Sequence, residues 1–472
     1  MSSLPAPDSK EQQLQKPLDP KEERFRKMTE MPVPKLIGSL ALPTIISMMV
    51  TSIYNTADTF FVGRISTQAT AAVGLVFSVM SIIQAFGFFC GHGSGNFISR
   101  MLGAGNRKEA DEMAATGFTL AIIIGLVISI LGNIFLYPLA RFIGASETTM
   151  YDTTRYMRVI LIGAPIMMSS IVINNQLRFQ GSAVYAMAGL VSGAVLNIAL
   201  DPLLIFVFDL GAMGAALATV ICQAVSFTIL FIGSRKGVNI HLSVKNIRLN
   251  GHYLLAILNG GSPSLVRQAL ASIATMLLNT TAGALGGDAA IAGMSVTTRV
   301  MMMLSSALIG FGQGFQPLCS FNYGAKLYHR VREGLFFCIK IGTIFLAAIS
   351  VICLIFAPQI ITFFRDDPKV VEVGVVALRW QAAALPLSAT VVMTNMMLQS
   401  MGKGIPASIT ASARNGLFFI PMILLLPRLF GLFGVEITQA CADVLSIAVA
   451  IPLAIRELRL MKKASEALGT KN

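Results

Sequence analysis

Residues 197–219 read NIALDPLLIFVFDLGAMGAALAT. A carboxylate, Asp201, stands inside a long apolar run, with Asn197 one helical turn before it and Pro202 directly after. A charge is expensive to hold in hydrocarbon, so an ionisable residue at membrane depth marks a functional position. The expectation is that Asp201 forms half of a proton- or cation-coupling site in a membrane transporter.

The rest of the 472-residue chain puts that stretch in context. It is 54% apolar and 12% charged, with a mean hydropathy of +0.71, against about 25% charged residues in soluble chains. Apolar runs of about 20 residues recur from Ile37 to Ile455, the signature of a polytopic helical membrane protein. A transmembrane barrel would show alternating segments of about 10 residues instead. The predicted fold class is therefore all-α. Twelve spans are expected at 37–62, 69–93, 115–140, 157–177, 183–208, 213–234, 262–285, 290–318, 333–357, 374–398, 406–427 and 434–455.

The formal charge of +13 raises the question of nucleic acid, and its distribution answers no. With the N-terminus inside, Lys and Arg concentrate before Ile37, in the 2–3, 6–7 and 8–9 loops and after Ile455, as at Arg107/Lys108, Arg235/Lys236/Lys245/Arg248 and Lys326/Arg330/Arg332. The opposite loops hold few: Arg64, Arg141, Arg365, Lys369 and Arg428. This bias toward one side predicts that both termini are cytoplasmic. The partners expected are the lipid bilayer and a small-molecule substrate, with the chain acting as a monomer.

Residues 1–36 are polar and read as a retained, solvated tail that the chemistry does not need, with room for an interfacial helix around Arg24–Met28. The length and acidity of the tail argue against a signal peptide. A lobe over 37–234, a linker over 235–256, a second lobe over 257–456 and a tail over 457–472 complete the expected organisation. The six cysteines lack metal-type spacing, and His92, His241, His252 and His329 form no ligand cluster, so no metal centre and no cofactor are expected beyond a coupling ion. His92, in CGHGSG, reads either as a satisfied interhelical residue or as a titrating switch.

Span 1 holds Pro43, a site for helix bending, and Asp58 near its outer end. Asp58 precedes Arg64 by six residues and Asp201 precedes Asp209 by eight, which places the acids ~9 and ~12 Å below one boundary. Two carboxylates on different helices thus share a depth. An internal repeat relates the halves. GSGNFISRMLGAG at 93–105 matches GQGFQPLCSFNYG at 312–324, so Gly93, Gly95 and Gly105 map to Gly312, Gly314 and Gly324, a shift of 219. Asn174 and Gly181 map to Asn395 and Gly402 with a shift of 221, and Asn197/Pro202 recurs as Asn415/Pro421. Six spans per half insert with one orientation, giving two six-helix bundles about an axis along the membrane normal with a cavity between them. The second half carries no copy of either acid: Asp58 projects near Leu277–Leu278 and Asp201 onto Ile420. Its own intramembrane charges are Arg267, Arg299, Lys340, Arg379 and Arg414 against Glu436 and Asp443. Arg267, Lys340 and Arg379 lie near span ends, where they can snorkel. Arg299 and Arg414 lie deeper and call for an acid or carbonyls, with Glu436 and Asp443 as partners or as a second cation site.

ADTFFVG in span 1, NIALDPLLIF followed by MGAALAT in spans 5 and 6, and NYGA at Asn322–Ala325 resemble the multidrug and toxic compound extrusion (MATE) family over about 35–460. The pattern is similar to the prokaryotic branch with DinF-like and MepA-like members. The resemblance implies a secondary antiporter, not an enzyme, that exports organic and often cationic drugs in exchange for H⁺ or Na⁺. It points to Asp58, Asn174, Asn197, Asp201 and Thr219 as the coupling network. Asn197 and Asp201, at i and i+4, share a helix face. A carboxylate in a dry pocket can hold a proton at neutral pH and release it when hydrated. Asp58, Asn197, Asp201 and Thr219 also offer oxygens suited to Na⁺. NorM-like members use acids in the second half, which this chain largely lacks. A lipid-linked oligosaccharide flippase of the same superfamily is the alternative, kept open by the arginines of the second half. HExxH, GxSxG with a His partner, and a Walker A motif are absent, which argues against an intramembrane enzyme and against ATP hydrolysis.

Overall fold

The computed structural model describes residues 19–236, 240 and 242–467. His241, residues 1–18 of the expected tail, part of the linker and residues 468–472 lie outside the described residues. Without water in hydrocarbon every backbone group needs a partner inside its own segment, and apolar runs of this length meet that demand as helices. A first helix, α1 (Pro20–Glu30), precedes α2 (Val33–Val62), α3 (Thr67–Gly103), α4 (Arg107–Ile134), the short α5 (Leu136–Phe142), α6 (Met150–Phe179), α7 (Ala183–Pro202) and α8 (Gly211–Lys236). The second half holds α9 (Gly251–Gly324), α10 (Tyr328–Phe364), α11 (Pro368–Ser400), α12 (Gly404–Ser412), α13 (Phe419–Phe430) and α14 (Leu432–Ala467).

Among the described residues, eleven helical segments are long and apolar enough to cross a membrane. One of them, α9, folds at Gly287, whose φ of 62° and ψ of −157° lie outside the helical region, a conformation that suits a residue without Cβ. Its two legs, 251–286 and 288–324, bring the crossings to the predicted twelve. Several helices outrun their apolar windows because polar caps and charges extend them past the hydrocarbon. Ser66 caps α3 through Ala69 N, Asn106 caps α4 through Glu109 N, and Asn250 caps α9 through Tyr253 N. At the far end α14 continues to Ala467 with Glu457, Met461 and Ser465 buried, so much of the segment expected as a tail is packed helix.

The N-terminal segment also differs from a solvated tail. Met28 on α1 is buried, and Asn322 Nδ2 donates to its carbonyl at 3.1 Å. Arg330 Nη2 donates to the Met31 carbonyl at 2.6 Å, and Phe25 meets Phe321 edge-on at 5.5 Å. Met28 lies 3.4 Å from the Cβ position of Gly181, so α1 touches both halves at the end of the bundle that carries the termini. The sequence pattern of Arg24–Met28 showed a helix; only the partner side chains, some 300 residues away, decide that it docks on protein.

The repeat is present in three dimensions, with one register throughout this region. Asn174 Nδ2 donates to the Ala186 carbonyl at 2.8 Å, and Asn395 Nδ2 to the Ala407 carbonyl at 2.6 Å. Gly181 and Gly402 close their helices with φ of 81° and 76°. After α3 the left-handed residue is Gly105 (φ 78°), and after α9 it is Lys326 (φ 60°). Gly105 therefore corresponds to Lys326, a shift of 221, and not to Gly324 as the glycine spacing suggested. Matching identical residues favoured the wrong offset because glycine serves two purposes here, turns and close helix approach. Each half also carries a π-helical turn near its fifth span, Leu203–Val207 after Pro202 and Ala413–Leu417 between α12 and α13, a loosening frequent at functional sites.

Candidate functional site

Asp201 ends α7 at the point where Pro202 removes a backbone donor and the π turn begins. Its side chain is fully buried, and Asn197 Nδ2, one turn earlier on the same face, donates to Asp201 Oδ1 at 3.2 Å. Asp58 arrives from α2, and the two carboxyl groups stand within hydrogen-bonding reach of one another. The expected convergence of the acids is met. A hydrogen bond between two carboxyls needs one proton, because two carboxylates are acceptors only. Asp58 Oδ1, Asp201 Oδ2 and Asn197 Oδ1 are buried without a hydrogen-bond partner among the described residues. Three buried acceptors at one place make a donor set that suits a proton or a hard cation. The ion pairs of the described residues fall elsewhere, so neither acid is spent on a basic side chain. No group of three or more His, Cys, Asp or Glu there forms a metal-type cluster.

The remaining predicted residues separate. Thr219 on α8 is buried and lines a cavity of about 130 Å³ inside the first half, as do Asn197 and Asn174. Neither acid lines that cavity; of its lining residues, Asn197 bonds Asp201 and Tyr54 faces both acids. Asn174 commits its amide nitrogen to Ala186, and its counterpart Asn395 does the same in a half without the acids. That bond is a helix clamp, leaving Asn174 only its oxygen for the cavity. Pro43 is buried in α2 within the seam between the halves: the Cβ positions of Gly310 and Gly314 lie 2.8 and 2.3 Å from the Cα atoms of Ile45 and Ala41. Ser47 Oγ donates to the Pro43 carbonyl at 2.9 Å.

Sequence reasoning missed Tyr54, Tyr156 and Cys222, which face the acids. Tyr54 was findable, one turn before Asp58 on the same face; Cys222 follows Thr219 by three positions; nothing in its neighbours pointed to Tyr156. Arg178 was missed as well. Its Nη1 donates to Gln313 Oε1 and its Nη2 to Asn175 Oδ1 at 2.6 Å and toward His92 Nε2 at 3.2 Å. Arginine only donates, so His92 Nε2 accepts, and the ring proton sits on Nδ1, 2.8 Å from Ser264 Oγ. Gln399 Nε2 donates to the same Ser264 Oγ and to the Gly260 carbonyl, both at 2.8 Å. This chain of bonds joins the two halves, so His92 is a satisfied interhelical residue.

In the second half Arg414 forks onto Asp443 at 2.7 and 3.2 Å, with Gln439 adding a bond at 2.9 Å. The pairing expected of Arg414 is met, and it removes Asp443 from the free acids. Arg299, expected to lie deep, is exposed on the helix surface, and Arg379 reaches the Leu354 carbonyl at 3.3 Å.

The sequence profile of the MatE family matches residues 43–203 and 263–425. The chain is 27% identical over 454 residues to the multidrug export protein MepA of Staphylococcus haemolyticus, covering 94% of this chain and 99% of that protein. It is 29% identical over 420 residues to MepA of Staphylococcus aureus, covering 88% and 92%. A solved structure of a multidrug resistance MATE family transporter of the MOP superfamily, in an outward-facing conformation, superposes with a TM-score of 0.88 at 27% identity over 93% of this chain and 99% of that one.

Proposed function

The chain belongs to the MatE family of membrane transporters, and from that premise we propose that it is a proton-coupled antiporter that expels drug-like solutes by alternating access. The observation that carries the coupling is the Asp58–Asp201 carboxyl pair with its three orphaned oxygens. One proton satisfies the pair; wetting of the pocket would let it leave. Asn197 and Tyr54 border both the pair and the cavity, so a solute seated there presses on residues that touch the carboxyls. Exchange of solute for proton follows from that shared wall. Na⁺ is the second reading, supported by the same oxygens of Asp58, Asn197, Asp201 and Thr219.

The asymmetric basic loops support cytoplasmic termini, and the staphylococcal relatives support a bacterial plasma membrane. Contacts between the halves cluster at that end, through Arg178–Gln313, His92–Ser264, Ser99–Pro317 and Ser320–Asn96, which supports an outward-facing state. We read the chain as a monomer that takes organic, often cationic, solutes. For the flippase alternative, Arg414 is engaged by Asp443 and Arg299 and Arg379 lie exposed, while Arg267 lies inward beside His92.

The test is ethidium transport by the reconstituted chain in vesicles carrying a pH gradient or a sodium gradient imposed separately. Transport driven by the pH gradient alone is expected. Transport that responds to neither gradient would end the antiporter reading.

A further inference from the structure

The acid pair leaves the NYGA stretch at Asn322–Ala325 unexplained. Asn322 is fully buried and faces α1. Its Nδ2 donates to the Met28 carbonyl at 3.1 Å and to the Leu318 carbonyl at 2.9 Å, and its Oδ1 accepts from Arg330 Nε at 3.0 Å. Arg330 Nη2 reaches on to the Met31 carbonyl at 2.6 Å. The sequence prepares this dock: Pro32, four residues after Met28, has no N–H to give the Met28 carbonyl, and Asn322 supplies that donor from the second half. Phe25 adds its edge-on contact with Phe321. Toward the first half the hold is packing. Arg24 and Met28, one turn apart on one helix face, meet Tyr185 and Gly181. The Met28 sulfur lies in ordinary van der Waals contact, 3.4 Å from the Cβ position of Gly181, and Arg24 Nη1 is buried with no hydrogen-bond partner among the described residues. The other face of α1, with Glu22, Glu23, Arg26, Lys27 and Glu30, is exposed.

We propose that α1 is a strap across the terminus-bearing mouth of the transporter, riding on the second half through Asn322 and Arg330 and parting from Gly181 and Tyr185 each time the halves separate there. The inference rests on the alternating-access reading, in which the two halves move apart at each end in turn. Contacts made in one state and broken in the other shift the balance toward the state that has them. The strap therefore favours the closed mouth, and Asn322 and Arg330 are positioning residues that hold it in place.

The experiment tethers α1 to each half in turn, in the full chain with Cys441→Ser, reconstituted in vesicles. Arg24→Cys/Tyr185→Cys joins α1 to the first half and Phe25→Cys/Phe321→Cys joins it to the second, each through dithio-bis-maleimidoethane, a linker that a reductant cleaves. The first tether is expected to slow ethidium transport at least about tenfold, with recovery on reduction, and the second to leave it within about twofold. A helix with a purely structural role would tolerate both tethers. Transport that survives the first tether, is lost with the second, or does not recover on reduction overturns the strap. Should a cysteine pair fail to fold, Met28→Ala carries the test. Maleimide labelling of Ser99→Cys, buried in the seam, is expected to run about tenfold faster with Met28→Ala and unchanged with Met28→Leu. Labelling that ignores the size of residue 28 overturns the strap. An untethered chain that transports no ethidium ends the antiporter reading, and the labelling rates then still decide the strap.

Discussion

Gly103 and Gly324 make reciprocal contacts across the two halves: a Cβ on Gly103 would stand 2.0 Å from the Phe321 carbonyl oxygen, and one on Gly324 2.0 Å from that of Arg100. The relation carries the same 221-residue offset as the asparagine clamps. A methyl group at either position must push a neighbouring backbone aside, an overpacking cost of about 1–3 kcal/mol. The expected consequence is a looser seam at the terminus-bearing end. A Ser99→Cys reporter, buried in that seam, should react with a maleimide about tenfold faster in a Gly324→Ala background, the change that about 1.4 kcal/mol brings. Unchanged labelling would mean that the helices already tolerate the methyl.

Asp58→Asn and Asp201→Asn each remove a group that can bind and release a proton while keeping its shape. Both variants should insert normally, and both should reduce pH-driven ethidium transport to the level of empty vesicles. Solute binding measured in detergent should lose its dependence on pH in Asp201→Asn. Wild-type rates from either variant at matched expression would remove that acid from the coupling step.

Asn174→Ala and Asn395→Ala remove the side-chain donors to the carbonyls of Ala186 and Ala407, which keep their helical partners. Loss of such a bond costs roughly 0.5–1.5 kcal/mol. The two substitutions should lower the melting temperature in detergent by similar amounts. A coupling defect confined to Asn174→Ala, beyond that shared loss of stability, would show that its remaining oxygen acts on the solute or the ion.

Arg414 and Asp443 test whether the second half holds a working acid. Arg414→Leu strands a carboxylate that is 1% exposed, at a cost of about 3–5 kcal/mol. Replacing both partners with leucine should recover most of the melting temperature, and coupled transport should survive in the double variant. Loss of coupling there, with stability restored, would place Asp443 in the transport cycle after all.

The residues differ in how visible they were. Asp201, Asn197 and Asp58 stood out because a polar side chain in an apolar run is a local anomaly, readable within one turn of helix. Tyr54 obeyed the same rule but is an ordinary membrane aromatic, so nothing set it apart. Asn174 was named as a site residue through the family resemblance, yet its amide serves the helix pair, as the copy at Asn395 shows. Arg178 sat in QLRFQG at a span end, where a snorkelling arginine is common; instead it turns inward to Gln313, 135 residues away.

By itself, the order of residues determined the twelve crossings, their doubling into two halves and the presence of two intramembrane acids. Those properties depend on the length of apolar runs and on spacing along a helix, which the bilayer reads segment by segment. The tertiary structure alone decided that Asp58 meets Asp201, that the register of the halves is 221, and that Arg178 turns inward to bond across them. Such facts depend on how each helix is rotated about its axis and on which distant helix it packs against, and neither quantity is written in any one segment.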